Sequence, residues 1–268
     1  METTPIPGGA QLTGNVLFYS KPEPLSPELH GALGVKRSEK PYAFAAAAHV
    51  VPLTVTEFMP AALSYPVIFV GDARLPVAVL GVNQGDNLFV SEDGTFDPDA
   101  YLPAYVRRYP FVFANDDKGE RMIVCIDRAA DAVSETPDAP FFDAGQPTEF
   151  TKNAIKFCED FETERQRTES FLTLMRELDL FETKRATFTP RGPDGAAAGD
   201  PQTVAEYFAV SEEKLKALSP EKFAELRDNG ALSQMYAHLT SLLGWDRLIA
   251  KALMRAQSRA QAAPANSN

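Results

Sequence analysis

Pro66-Val-Ile-Phe-Val70, Pro76 to Val82 and Asn87-Leu-Phe-Val90 are three short apolar runs, separated by Gly71-Asp72 and by Asn83-Gln-Gly85-Asp86. Each run has the length of a strand, and glycine, aspartate and asparagine supply the turn conformations between them. Their succession predicts an antiparallel meander. On the N-terminal side, Ala43 to Leu53 reads as a buried strand. Thr54 and Glu57 then stand in capping-box spacing before Phe58 and a short helix to Leu63. On the C-terminal side, Phe111-Val-Phe113 and Arg121 to Ile126 repeat the strand pattern across Asn115-Asp-Asp-Lys-Gly119, a hairpin signal. Pro98 to Tyr109 reads as a short helix or a turn with aromatic anchors.

The two ends of the chain have a different character. Pro22, Pro24 and Pro27 exclude a central strand or helix interior there, and Ser26-Pro27-Glu28 is a helix start running through Leu33. Thr148 to Leu180 contains neither proline nor glycine. Phe150, Ile155, Phe157, Phe161, Phe171, Leu174, Met175 and Leu178 recur at mostly helical spacing, with acids and arginines between them. This predicts a long amphipathic helix whose stripe thins from Thr163 to Thr168, the place for a kink. Arg185 to Pro190 and Thr203 to Val210 read as paired strands around the glycine-rich loop Arg191 to Pro201. Ser211, Ser219 and Asn229 introduce three helical segments. The last of these carries Leu242, Trp245, Leu248, Ile249 and Leu253. The fold class is therefore α+β: an antiparallel meander sheet with short helices, then a long amphipathic helix, a hairpin and a C-terminal helical segment. Residues 1–256 read as a single domain. From Gln257 onward the Ala, Ser, Gln, Asn and Pro composition predicts a disordered tail over 257–268.

Charge and composition narrow the function classes. Among 268 residues, 37 acids face 26 bases, a formal net charge of -11. That argues against sequence-independent nucleic-acid binding, which needs a basic surface. The N-terminus has no basic segment followed by an apolar one, so no secretory signal is expected. The longest apolar stretch, Tyr42 to Leu53, is too short to span a bilayer and is broken by His49 and Pro52. Cys125 and Cys158 are the two cysteines, which excludes a disulfide framework. Together these features predict a cytoplasmic protein.

The phosphate-loop, dinucleotide-glycine, nucleophile-elbow and zinc-helix patterns are all missing, as is any Cys-x-x-Cys. No metal site and no cofactor is expected. His30, His49 and His238 include no His-x-Asp or His-x-Glu pair, and His49 with Glu57 is the nearest approach to a metal-binding set. Capping already accounts for Glu57. Cys125 and Asp127 would share a strand face without a histidine base, so a buried, inert thiol is expected.

The densest chemistry is Tyr101-Leu-Pro-Ala-Tyr105-Val-Arg107-Arg108-Tyr109-Pro110-Phe111. Guanidinium groups stack on aromatic faces and grip carboxylates or phosphates in pairs of hydrogen bonds. Arg107, Arg108, Tyr101, Tyr105 and Tyr109 form the candidate ligand site, with internal ion pairing and cation–π packing as the competing reading. On the last helix, Arg247, Lys251, Arg255 and Arg259 beside Trp245, Leu248, Ile249 and Leu253 suit either a membrane or partner surface or a stripe buried in its own domain.

An ordered set of short motifs resembles the bacterial SapC family. These are Phe44 through Glu57-Phe58, Tyr65-Pro66-Val67-Ile68-Phe69, Leu80-Gly81, Asn87-Leu88-Phe89, Tyr101-Leu-Pro103 and Arg107-Arg108-Tyr109-Pro110-Phe111. Cys125-Ile126-Asp127, Gly230-Ala231-Leu232, Tyr236-Ala237-His238-Leu239 and Ser241-Leu242 extend the likeness, which covers most of Asn15 to Ile249. The resemblance carries over no catalytic residues. The family name refers to surface-layer loci. Family genes lie near TonB-dependent receptors and flavin-dependent halogenase-like proteins, which implies nutrient uptake or peptide modification. The expected function is a cytoplasmic accessory or binding protein with a protein or peptide partner, associated with a cell-surface or nutrient-uptake system. The alternative is an oxygenase-like or peptide-modifying enzyme using a histidine and carboxylates.

Overall fold

The structure, a computed structural model, describes residues 10–11, 17–116, 122–189 and 199–262. The chain is α+β and forms two compact units. The first takes Met1–Ala45, Glu92–Thr95 and Ala104–Thr163, and the second Ala46–Ser91, Phe96–Pro103 and Glu164–Asn268.

In the first unit, Phe111–Asp116 and Met122–Asp127 pair antiparallel, flanked by Ala10–Gln11 and Pro22–Pro24. Their connection, with most of the expected Asn115–Gly119 turn, lies outside the described residues. Side chains of a strand alternate between two faces, and both faces of this hairpin are used. The cross-strand pair Phe111 and Ile126 packs with Leu33, Phe141, Phe142 and Cys158. The next pair, Val112 and Cys125, packs with Tyr19 and Ala114. Burial of each large apolar side chain contributes roughly 1.5–3 kcal/mol. The same burial pushes both thiols up to about 11, Cys158 despite the opposing charge of Arg108. Neither cysteine is therefore a thiolate near neutral pH. Native protein at pH 8 is expected to resist a bulky disulfide reagent at both positions. Labelling of either at the rate of the unfolded chain would refute the burial argument.

In the second unit, a five-stranded antiparallel sheet runs in the order Phe181–Phe188, Gln202–Val210, Val67–Val70, Leu75–Val79, Val50–Pro52. The two strands that flank the glycine-rich loop pair as the sequence predicts, with a bulge at Ala186/Thr187. Most of that loop lies outside the described residues. Phe58, Phe69 and Phe171 meet edge-on in the core, with centroids 5.9–6.0 Å apart, the arrangement their ring quadrupoles favour.

Several local expectations need correction. Ala43 to Leu53 is not one strand: Ala43–Ala45 is a 3-10 turn and only Val50–Pro52 is extended. Asn87-Leu-Phe-Val90 is buried but is not a strand. Its N–H groups donate to different acceptors, Asn87 to Ala46 O, Leu88 to Leu80 O and Phe89 to the Asn87 side-chain oxygen. Three of its carbonyls accept from one arginine, Arg255. A run of apolar residues thus became a compact turn, because scattered backbone acceptors and the side chains of Asn87 and Arg255 replaced a neighbouring strand.

The long helix is Glu149–Glu177, 29 residues without a break. The boundary between the two units falls within it, after Thr163. Its apolar stripe thins because one inward position is polar. The buried Thr168 hydroxyl donates to Glu164 O at 2.7 Å and accepts from Val55 N at 2.8 Å. Ser219 caps Pro220–Asp228 through Lys222 N, and Gly230, at φ 80°, opens Ala231–Ser241. The last helix, Trp245–Ala262, continues past Gln257, where composition alone predicts disorder. Alanine, glutamine and arginine are good helix formers and extend an element already anchored by Trp245, Leu248 and Ile249. Residues 263–268 lie outside the described residues. No helix among the described residues is long and apolar enough to cross a membrane.

Candidate functional site

The arginine–tyrosine cluster begins on the short helix Ala104–Arg107 of the first unit. Arg108 follows, then a cis Tyr109–Pro110 bond leads into the strand at Phe111. The Arg108 guanidinium carbon lies 4.0 Å from the Tyr105 ring centre, 4.5 Å from that of Phe161 and 5.8 Å from that of Tyr19. The rings continue around it: Phe18 packs on Tyr105 and Tyr109, Phe44 stacks on Tyr109 at 4.1 Å, and Tyr109 meets Tyr19 at 5.3 Å. Among the described residues no carboxylate lies within ion-pair distance of Arg108, and its buried Nε has no hydrogen-bond partner.

The tyrosine hydroxyls are engaged elsewhere. Tyr19 donates to Phe111 O at 2.6 Å, Tyr105 to Leu17 O at 3.4 Å, and Tyr109 to Asp127 Oδ2 at 3.2 Å. Asp127 is itself buried and accepts from the Ser20, Lys21 and Ala129 N–H groups. Burial raises the pKa of Tyr19 and Tyr105, and the positive charge of Arg108 opposes it. Tyr109 is raised by burial and then by the adjacent Asp127 carboxylate. All three are therefore neutral, and Tyr19 and Tyr105 wall a fixed cation.

The five residues singled out from the sequence thus have different surroundings. Arg108, Tyr105 and Tyr109 belong to the ring system. Arg107 is exposed, its guanidinium 5.1 Å from the Phe157 ring centre. Tyr101 belongs to the second unit, where its N–H donates to Ser64 Oγ and its hydroxyl to Glu57 Oε1 at 3.0 Å. Phe18, Tyr19, Phe44 and Phe161 complete the ring system, and the first three carry no local sequence signal, because they lie far from Arg108 along the chain. Phe161 alone had one hint, its place on the apolar stripe of the long helix.

The remaining candidates have structural surroundings. Glu57 accepts from the Thr54 N–H at 2.8 Å and the Thr54 hydroxyl at 2.9 Å, as capping-box spacing predicts. His49 lies in the same unit, and its carbonyl accepts from Leu80 and Gly81. His30 is buried in the first unit, with Nδ1 accepting from Ser26 N and Nε2 3.5 Å from Glu23. His238 is buried in the second unit between Val67 O, 2.8 Å from Nδ1, and Val210 N, 3.1 Å from Nε2. Among the described residues no group of three or more His, Cys, Asp or Glu side chains could hold a metal ion.

The basic face of the C-terminal helix is engaged within its own unit. Arg247 donates to Leu63 O, Lys251 pairs with Asp97 at 2.6 Å, and Arg259 reaches Asp86 at 3.2 Å. Arg255 binds Asp86 and the carbonyls of Asn87, Leu88 and Val90 at 2.7–3.3 Å.

An α+β chain with one ring-enclosed arginine and no assembled metal-ligating cluster among its described residues can now be placed. It belongs to the SapC family, whose profile matches residues 25–248. Tyr105, Arg108, Tyr109 and Phe161 fall inside the matched span, whereas Phe18 and Tyr19 precede it. No curated protein and no solved structure matches the chain.

Proposed function

We propose that this SapC-family chain is a binding protein, acting in the cytoplasm as an accessory to a cell-surface or nutrient-uptake system, with Arg108 as the residue that grips an anionic group. The observation that supports it is that this guanidinium lies among aromatic rings, its Nε without a hydrogen-bond partner and no carboxylate among the described residues at ion-pair distance. Acids outnumber bases in this chain, so a half-buried arginine without a carboxylate among the described residues departs from the simplest internal pairing. Its ring walls lower the local dielectric, where a charge-assisted hydrogen bond is stronger than at an open surface.

Chemical unfolding in the presence of acetate, benzoate or phosphate tests this. A ligand at a hundred times its Kd stabilises the native state by roughly 2.7 kcal/mol. That increment is expected for at least one anion in the wild type and is expected to vanish in Arg108→Lys, which keeps the charge but loses the planar fork. If no anion stabilises the wild type and Arg108→Lys only lowers its stability, the cluster is scaffold.

A further inference from the structure

We infer that the group gripped by Arg108 is a single carboxylate carried on an apolar body, an inference that rests on the reading of Arg108 as the anion contact. The donors around the site decide between carboxylate and phosphate. A phosphate site ordinarily adds backbone N–H groups or a second cation to its arginine. Here the local amides are occupied: Arg108 N donates to Ala104 O, Tyr109 N to Val106 O and Phe111 N to Arg108 O. Residue 110 is proline and has no N–H. The hydroxyl protons of Tyr19, Tyr105 and Tyr109 point to Phe111 O, Leu17 O and Asp127. Arg107 lies over Phe157. That leaves the Arg108 guanidinium, which also contacts the Tyr19 and Tyr105 side chains and whose Nε has no partner, as the one cation here without a carboxylate among the described residues, and its planar fork matches the two oxygens of a carboxylate.

Charge balance agrees. One guanidinium neutralises one negative charge, whereas a phosphate monoester carries about −1.5 to −2 at pH 7. The excess would have to be desolvated against the rings of Tyr19, Tyr105 and Phe161. Those same rings favour an apolar body next to the carboxylate.

Calorimetric titration with three probes tests the class. Benzoate stands for a free aromatic acid, N-acetylphenylalanine for a peptide C-terminus, and phenyl phosphate for the same ring with the other anion. One of the two carboxylates is expected to bind at least tenfold more tightly than phenyl phosphate, and to weaken at least tenfold in Arg108→Lys. Phe161→Leu, which keeps the cation and removes one wall, is expected to weaken it as well. This second variant carries the test if Arg108→Lys does not fold. Phenyl phosphate binding as tightly as the carboxylates, and depending on Arg108, overturns the carboxylate inference and leaves Arg108 as the anion contact. Binding of no probe, or binding indifferent to both substitutions, overturns that contact too.

Discussion

Replacing Arg255 by alanine is expected to destabilise the protein by about 3–5 kcal/mol. The guanidinium supplies donors to three backbone carbonyls, of Asn87, Leu88 and Val90, and to the Asp86 carboxylate. Leu88, Phe89 and Val90 are buried, and Asn87 is only 1% exposed. Without the arginine, the Leu88 and Val90 carbonyls lose that donor in a place water reaches poorly, while Asn87 O keeps only the Val90 N–H at 3.4 Å. Each orphaned acceptor costs roughly 1–3 kcal/mol, and such costs are not additive. Arg255→Lys should fall in between, because an ammonium cannot span the same set of acceptors. Urea unfolding followed by Trp245 fluorescence, which reports the second unit, reads the loss. Hydrogen exchange should show the amides of Asn87 to Val90 opening first. A change below about 1 kcal/mol would falsify the clamp as a major support. Following the same unfolding by circular dichroism tests the single-domain reading: coincident transitions are expected, and a resolved second transition contradicts one cooperative domain.

Stability is expected to fall as pH drops below about 6.5, and His238 is the reason. Burial pushes its pKa down to about 3, against a smaller opposing effect of its bond to Val67. The folded imidazole is therefore neutral, with Nδ1–H donating to Val67 O and Nε2 accepting from Val210 N. An unfolded histidine takes up a proton near pH 6.5. Because the folded pKa is depressed, the stabilisation is complete above pH 6.5 and is lost between 6.5 and about 3. The slope is about 1.4 kcal/mol per pH unit, or about 2 kcal/mol by pH 5, before most carboxylates titrate. His238→Gln should be less stable at pH 7.5 by about 1–3 kcal/mol for the bonds it weakens. The variant should also lose most of the slope between pH 6.5 and 5. An unchanged slope in His238→Gln would assign the acid sensitivity to other groups.

The division between what could be read and what could not follows the range of the interactions. The meander strands Val67–Val70 and Leu75–Val79, the hairpin strands at Phe111 and Met122, the capping box at Thr54 and Glu57, the Ser219 cap and the long helix all rest on neighbours a few residues apart. Periodicity and turn chemistry carry such information directly. The SapC assignment was legible for the same reason, since its motifs are short and ordered. The run from Asn87 to Val90 departs from its local pattern because its backbone partners include an arginine 165–168 residues away. Local patterning registers its apolarity and not the source of its hydrogen bonds.

The candidate site divides in the same way. Arg108, Tyr105 and Tyr109 were visible as a dense local cluster. Tertiary structure alone bonded Tyr101 to Glu57, and it alone placed Tyr19 and Phe161 beside Arg108. It also decided that the basic stripe from Arg247 to Arg259 binds carbonyls and carboxylates of its own unit. The amino-acid sequence by itself determined the α+β class, the acidic character and most of the elements, since these depend on local propensity and composition. Which charges found partners, and which guanidinium was left among rings, depended on long-range contacts that only the folded chain creates.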